Sequence, residues 1–153
     1  ARLIINLEKL YLSLKKLQLK DDKVSTYYNL SHDLGVAQKD MNKLQNKIFG
    51  IECNFEELNG IDFKKGCYVG QENTARIKLK NKLSKRLLPI EIIKGKLIAG
   101  SSIKFGNIEI GKVLIDSKYP FALIKYLDDD FDDKNQFTCE NAVIKIKIPH
   151  WIK

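Results

Sequence analysis

The chain has 153 residues, enough to bury a hydrophobic core in one domain or in two small ones. Its hydrophobic fraction of 44% is typical of a globular protein, and no apolar run approaches the roughly 20 residues that a membrane helix needs, so we expect a soluble chain. Three cysteines without a CxxC pair suggest neither a disulfide scaffold nor a metal site and favour a reducing compartment.

The formal net charge of +8 is concentrated in the middle of the chain, where residues 64–96 contain ten basic side chains and two acidic ones. Such a positive field concentrates an anionic ligand, and the alternative is a solvated lysine-rich surface. The opposite extreme is the aspartate-rich stretch at residues 128–133. It lacks the glycine and the closing glutamate of an EF-hand loop, so we expect a charged surface turn there.

The N-terminal region has the spacing of helices. Leucines three and four residues apart predict an amphipathic helix over residues 6–20, with Asn6 as N-cap and its leucine stripe in the core. Residues 24–28 are interpreted as a short strand and residues 27–34 as a helix that Gly35 ends. Residues 38–47 are polar enough for a loop or a surface turn.

Residues 64–76 read KKGCYVGQENTAR and are the most informative stretch of the sequence. Gly66 and Gly70 flank Cys67, and glycine is used where backbone turns sharply or approaches a ligand closely. A helix is predicted over residues 71–80, with Glu72 in its first turn. A thiol near a helix N-terminus and close to lysines has its thiolate form favoured.

Beyond residue 85 the pattern changes to short apolar runs separated by glycine, which predicts a small antiparallel sheet or barrel. The candidate strands are residues 87–93, 103–105, 108–115, 121–126 and 142–148. We expect a hairpin turn at Gly106 and Asn107 and a bulge at Gly111. In the last strand, isoleucines alternating with lysines predict one buried and one solvated face.

The string Lys-Gly-Cys-Tyr-Val-Gly-Gln-Glu, with LNGI before it and TAR after it, resembles the signature of folate-binding, aminomethyltransferase-like proteins of the YgfZ type and their mitochondrial relatives. FGIE at residues 49–52 and KRLLP at residues 85–89 extend the similarity. The resemblance implies an α+β protein with two parts. Residues 1–82 form an aminomethyltransferase-like folate-binding portion, incomplete at its N-terminus, and residues 83–153 form a small antiparallel β-barrel domain.

The resemblance also implies a function, which is binding of tetrahydrofolate in support of the assembly or repair of iron-sulfur proteins. Those client or assembly proteins are the expected partners, and Cys67 is the expected functional thiol, with a small buried hydrophobe as the alternative. We expect the protein to be cytoplasmic, or located in the mitochondrial matrix in a eukaryote. Cys53 and Cys139 have no site-like surroundings in the sequence.

Four further residues are candidates for binding the folate. The resemblance implies that Glu52 pairs with the pterin ring, and the alternative is a surface glutamate. Arg76 is a donor fork for the carboxylate tail. Gln71, like its neighbour Glu72, either bonds ligand or caps the following helix, and Tyr68 either stacks on a flat ring or belongs to the core.

Two other functions remain open. One is a glycine-cleavage aminomethyltransferase, although no catalytic carboxylate of that class can be matched here, which favours an accessory factor over an enzyme. The other is a basic nucleic-acid-binding module that uses residues 64–96, with affinity that falls as salt rises. His32 and His150 lie far apart in the sequence without an evident partner, so no catalytic triad is predicted.

Overall fold

The computed structural model describes residues 6–18, 20, 22–66, 69, 71–79, 84–125 and 135–152. Within these ranges there are three α-helices, one short 3-10 helix and six β-strands. The helices are α1 (Leu7–Leu17), α2 (Val24–Asp33) and α3 (Gln71–Leu79), and the 3-10 helix is Met41–Leu44. The strands are β1 (Lys85–Gly95), β2 (Ser102–Phe105), β3 (Ile108–Ile115), β4 (Phe121–Lys125), β5 (Phe137–Cys139) and β6 (Ala142–Ile146).

The six strands form a closed barrel in the order β1-β4-β3-β2-β5-β6, with every neighbouring pair antiparallel. The fold is therefore α+β with a small antiparallel barrel, which confirms the predicted C-terminal architecture. Five of the strands were predicted from the sequence. The three residues of β5 were missed, and the aspartate-rich stretch at residues 128–133 lies outside the described residues.

Side chains that alternate along the strands fill the barrel. Ile144 and Ile146 of β6 are buried, as the alternation with lysines predicts. The interior cluster contains Leu88, Ile90, Leu97, Ile103, Ile110, Val113, Ala122, Ile124, Phe137, Cys139, Ala142, Ile144 and Ile146. Branched aliphatic side chains suit this interior because they pack well on a pleated surface.

Strand β1 is long because it pairs with two partners in succession. Residues up to Pro89 pair with β4, and residues from Ile90 onward pair with β6. Proline has no N–H to donate, and here it occupies the point where β1 passes from one partner to the other. Its carbonyl still accepts a hydrogen bond from the Lys147 N–H at 2.9 Å.

The predicted hairpin and bulge are both present between β2 and β3. Gly106 lies in the connecting turn with φ of 58°, and the register shifts between Ile103 and Lys104, so that Ile110 of β3 is bulged beside Gly111. A Cβ atom at Gly111 would lie 2.5 Å from the Leu123 carbonyl oxygen. Only glycine therefore allows β3 and β4 to approach this closely.

The outer face of the barrel carries a second hydrophobic cluster. Leu87 and Phe121 face away from the interior residues Leu88 and Ala122 that follow them in β1 and β4. They are buried because residues 37–53, the covering segment, pack over them. The cluster contains Leu44, Leu87, Leu114, Ile115 and Phe121, with Ala37, Ile48, Cys53 and Leu123 packed against it.

Helix α1 begins as predicted but is not a core helix. The Asn6 side chain accepts a hydrogen bond from the Glu8 N–H at 2.9 Å, which makes it the N-cap. None of the helix residues is buried, and Leu7 is 80% exposed. The interpretation of the leucine stripe as core is therefore wrong, since no element in the described ranges covers it.

Helix α2 replaces the strand expected at residues 24–28, so that interpretation was wrong. Tyr28 and His32 are four residues apart and lie on one helix face, which contacts Tyr119 beside the barrel. Gly35 ends the helix as predicted. Its φ is +72°, and a Cβ there would lie 2.5 Å from Pro149 Cγ, so both conformation and space require glycine. The loop expected at residues 38–47 contains the 3-10 helix, which buries Leu44.

Candidate functional site

The approach to the cysteine motif is a compact series of turns at residues 49–60. The backbone N–H of Cys53 donates to the Phe49 carbonyl, and the N–H of Leu58 donates to the Asn54 carbonyl. Asn54 and Asn59 have positive φ angles of 61° and 57°. Asparagine tolerates this left-handed conformation better than most residues, so these two positions allow the chain to turn repeatedly.

The turns are fastened to the start of β1 by backbone and side-chain hydrogen bonds. The Leu87 N–H donates to the Glu52 carbonyl at 2.8 Å, and the Asn54 amide donates to the Leu87 carbonyl at 2.9 Å. Arg86 Nη1 donates to Asn54 Oδ1 at 3.0 Å and to Glu57 Oε1 at 2.5 Å. The barrel therefore fixes the position from which the motif segment departs.

Glu52 is half-buried, and its carboxylate has a partner within its own turn. Glu52 Oε2 accepts a hydrogen bond from the Phe49 backbone N–H at 2.9 Å. This bond orients the carboxylate and occupies one of its two oxygens. The sequence predicted a ligand-pairing or a surface glutamate, and it did not indicate this turn-capping contact.

Helix α3 follows the motif as predicted, with Glu72 in its first turn and Arg76 and Lys78 in its last. Lys78 Nζ donates to the Glu56 carboxylate and lies 4.2 Å from the centre of the Phe63 ring. These contacts join α3 to the turn segment. Arg76 is exposed and forms no ion pair within the described part of the chain.

The predicted residues of the site are thus only partly described. Cys67 and Tyr68 lie outside the described residues, as does the side chain of Gln71, whose backbone begins α3. Before the motif, the Lys64 N–H donates to Asp62 Oδ1 at 2.8 Å. Gly66 is exposed, and a Cβ there would meet no atom of the described residues within 4 Å. The backbone just before Cys67 is open to solvent.

The other two cysteines are unlike a reactive thiol. Burial, with a smaller effect of the neighbouring Glu52 charge, raises the pKa of the Cys53 thiol to about 11. Burial also raises the pKa of Cys139, which faces the barrel interior. Because the thiolate is the nucleophile and the metal ligand, the raised pKa values disfavour the reactive form of both residues.

His32 has a partner that the sequence did not reveal. Its Nε2 donates to the Pro120 carbonyl at 2.9 Å, and its ring packs edge-to-face on Phe121 with the ring centres 5.1 Å apart. Burial lowers the pKa of His32 below its ordinary value of 6.5. This histidine connects α2 to the barrel. His32 and Pro120 are 88 positions apart in the sequence, so no local pattern pairs them. The sequence offers one hint of this contact, which is that His32 follows Tyr28 by four residues and therefore shares its helix face.

No helix among the described residues is long and apolar enough to span a membrane. Nor do the described residues bring together three or more His, Cys, Asp or Glu side chains in a way that could hold a metal ion.

Fold and site together define a class of protein: an α+β chain whose closed antiparallel barrel is bonded at β1 to a turn segment, which α3 contacts in turn. A scan against family models finds no match. The tRNA-modifying protein YgfZ of Aliivibrio fischeri is 30% identical over 154 aligned residues, which cover 94% of this chain and 47% of that protein.

Mitochondrial iron-sulfur cluster assembly factor IBA57 homologs match shorter stretches. The one from Aspergillus oryzae is 39% identical over 61 residues, covering 40% of this chain and 14% of the relative. The one from Dictyostelium discoideum is 38% identical over 77 residues, covering 50% and 18%. The chain belongs to the YgfZ/IBA57-type family, as its motif predicted. It spans less than half the length of these curated relatives.

Proposed function

We propose that this chain belongs to a tetrahydrofolate-binding accessory protein that acts in the assembly or repair of iron-sulfur proteins, with Cys67 as its functional thiol. One observation carries the proposal, which is the match to the YgfZ/IBA57-type family across 94% of the chain, including the cysteine motif. Relatives from two eukaryotes are named as iron-sulfur cluster assembly factors. Client or assembly proteins of that pathway are the proposed partners.

The arrangement of the flanking residues supports a role for Cys67. Gly66 leaves the backbone open on one side, and α3 begins four residues after the cysteine on the other. The N-terminus of a helix and the neighbouring Lys64 and Lys65 favour a negative charge, and the thiolate is the form that reacts or binds soft metal. Cys53 and Cys139 are held in the thiol form by burial, which leaves Cys67 as the reactive candidate.

The described residues fit parts of a folate. Glu52 keeps one carboxylate oxygen beyond the Phe49 hydrogen bond, and the pterin ring carries adjacent N–H donors. Arg76 presents an exposed guanidinium without an ion pair in the described ranges, which suits the carboxylates of the folate tail. In the proposal, Tyr68 and Gln71 complete the contacts to the folate. The division into a folate-binding portion at residues 1–82 and a barrel domain at residues 83–153 is part of the same proposal.

Calorimetric titration of the full gene product with tetrahydrofolate tests the proposed ligand. Saturable binding is expected, and Arg76→Gln is expected to weaken it by roughly tenfold, since one charge-assisted bond is removed. Lys94→Gln removes an exposed positive charge from β1 and is the matched control. Absence of binding heat in the wild-type protein would disprove the folate assignment.

A second candidate function is tRNA modification, because the relative that covers almost the whole chain is named a tRNA-modifying protein. Mass spectrometry of tRNA nucleosides from a strain lacking the gene tests it. Loss of a modified nucleoside that the wild-type gene restores would support this function. An unchanged nucleoside profile would exclude it and leave the iron-sulfur proposal standing.

A further inference from the structure

A groove of about 440 Å3 lies on the outer face of the barrel and is rimmed by four lysines. We name it the lysine groove, and its charged lining residues are Lys47, Lys85, Lys112, Lys125 and Glu109. Its floor contains Val113, Leu114 and Leu123, and the turn at Ala99 and Gly100 closes one side. None of the described residues of the cysteine motif lines it.

The strand register explains why these lysines converge. Lys85 of β1 is directly opposite Lys125 of β4 in the antiparallel ladder. Lys112 of β3 is opposite Leu123 of β4. Since Leu123 and Lys125 are two residues apart, they project from the same face of β4. Lys47 reaches the same groove from the covering segment.

The charge arrangement is unfavourable for the folded protein alone. Like charges directly opposite each other across a ladder are destabilising, and the Lys85–Lys125 pair has this placement. Among the described residues, none of the four lysines forms an ion pair. Nearby Lys43 differs, because its Nζ lies 2.6 Å from Asp116 Oδ1. The groove therefore presents four ammonium groups, and Glu109 is the one acidic side chain among its described lining residues.

We propose that the lysine groove binds the phosphodiester backbone of a single-stranded RNA. Four separate ammonium groups suit a ligand with several spaced negative charges, whereas one small carboxylate is better held by an arginine fork. None of the lining residues that the structure describes is aromatic, so these residues offer no platform for base stacking, and backbone contacts dominate. Its volume is that of a small-ligand site, which accommodates a short length of one strand and not a double helix.

This inference differs from the nucleic-acid interface expected from the sequence. That interface comprised residues 64–96, and of the groove lysines only Lys85 belongs to it. Folding adds Lys47, Lys112 and Lys125, which are separated along the chain, and Lys78 of the original stretch is instead paired with Glu56. The inference is independent of folate binding and of Cys67.

Fluorescence anisotropy with a fluorescein-labelled uridylate oligonucleotide, titrated at several salt concentrations, tests the proposal. The triple variant Lys85→Gln, Lys112→Gln, Lys125→Gln is expected to lose at least about tenfold in affinity at low salt. Its slope of log K against log salt should be shallower by about 2, since three phosphate contacts are removed. The control variant Lys9→Gln, Lys94→Gln, Lys96→Gln removes three exposed charges elsewhere. Equal losses in both variants would overturn the proposal.

Two further arms separate the proposal from its competitors. Polyglutamate that displaces the oligonucleotide as well as unlabelled uridylate does, at equal total charge, would overturn the assignment to phosphodiester. Cys67→Ala is expected to bind uridylate with the affinity of the wild type. A failure of the RNA proposal can therefore be told apart from a failure of the iron-sulfur proposal, which depends on Cys67. If the triple variant does not fold, Lys112→Gln alone is expected to weaken binding about threefold, and wild-type affinity in that variant would contradict the proposal.

Discussion

At the scale of single residues, Asn54 joins the turn segment to the barrel. It is 0% exposed, its amide donates to the Leu87 carbonyl, and its oxygen accepts from Arg86. Its φ of 61° is tolerated by asparagine and strains a residue such as alanine. One side chain thus satisfies buried polar groups and permits the turn that leads toward the motif.

Two substitutions of Asn54 separate the contribution of its hydrogen bonds to stability from that of its left-handed backbone conformation. Asn54→Ala is expected to lower the free energy of unfolding by about 2–4 kcal/mol, because it leaves a buried carbonyl unpaired and strains the backbone. Asn54→Gly loses the same hydrogen bonds without the strain and should be less destabilised by about 1 kcal/mol. Urea denaturation of both variants measures the difference. Equal stability of the glycine and alanine variants would show that the backbone conformation contributes nothing.

His32 makes the stability of the α2–barrel contact dependent on pH. Burial lowers the pKa of His32 below 6.5, and Lys147 adds to this effect, while the hydrogen bond to the Pro120 carbonyl and the charges of Asp33 and Glu91 oppose it. The unfolded chain takes up a proton at this residue near pH 6.5, whereas the folded chain does so at a lower pH. The unfolded state therefore binds more protons in this window, so the contribution of His32 to stability falls as the pH falls below about 6.5.

Measurement of unfolding free energy from about pH 7 to about pH 5 tests this dependence. The wild type is expected to lose stability across the window, and His32→Gln should show a flatter profile from a lower starting value. His150→Gln, at an exposed position, should keep the slope of the wild type. If the stability of His32→Gln changed with pH as steeply as that of the wild type, the pH dependence would arise from other groups.

At the scale of elements, the antiparallel pair of β1 and β4 contains both a buried hydrophobic part and a pair of lysines that repel each other. Their outer faces bury Leu87 and Phe121 under the covering segment, and the same ladder places Lys85 opposite Lys125. The hydrophobic half holds the strands together while the lysine half remains open to solvent. This division along one ladder creates the lysine groove beside the covered part of the sheet.

Reversing one charge of the ladder should increase stability. Lys85→Glu is expected to raise the free energy of unfolding by about 0.2–1 kcal/mol, because a cross-strand attraction replaces a repulsion. Lys85→Gln removes the repulsion without adding an attraction, so its free energy of unfolding should lie between those of the wild type and Lys85→Glu. Thermal denaturation at low salt gives the order, and the differences should shrink as salt is added. If Lys85→Glu were the least stable of the three proteins, the lysines would not repel each other in the folded state.

The elements also show which features the sequence could predict. The barrel strands were predictable because their signals are local: alternating isoleucines, as in β6, and glycine-containing turns, as before β3, are visible within a few residues of sequence. Strand β5 has only three residues, too few to show the alternation of apolar and polar side chains that identifies a strand. Helix α2 was divided into a strand and a helix because tyrosine and valine favour strands locally, whereas its contact with Tyr119 is made across the fold.

The candidate site was predictable to a smaller extent. The motif and the start of α3 are contiguous in the sequence, and both were predicted from it. The contacts that hold the turn segment before the motif depend on side chains distant in sequence, as for Asn54 with Arg86 and for Glu56 with Lys78. No local pattern encodes such pairs. The lysine groove was missed for the same reason, because its residues come from three strands and the covering segment.

At the scale of the whole molecule, the barrel serves as the support for two separate surfaces. The turn segment, which precedes the cysteine motif in the sequence, is bonded to the start of β1 at Leu87 and Arg86. The lysine groove lies on β3 and β4 and reaches the start of β1 at Lys85. In the account proposed here, the first surface provides the thiol and the folate contacts, and the second binds an RNA strand.

Cys67 is proposed to be the functional thiol of an iron-sulfur accessory protein. Complementation of a strain lacking the gene, with the activity of a cluster-dependent enzyme as readout, is the direct test of this claim. Cys67→Ala is expected to restore little activity at wild-type protein level. Cys53→Ala is the matched control and should restore activity, because the raised pKa of that thiol keeps it unreactive. Full restoration by Cys67→Ala would contradict the claim.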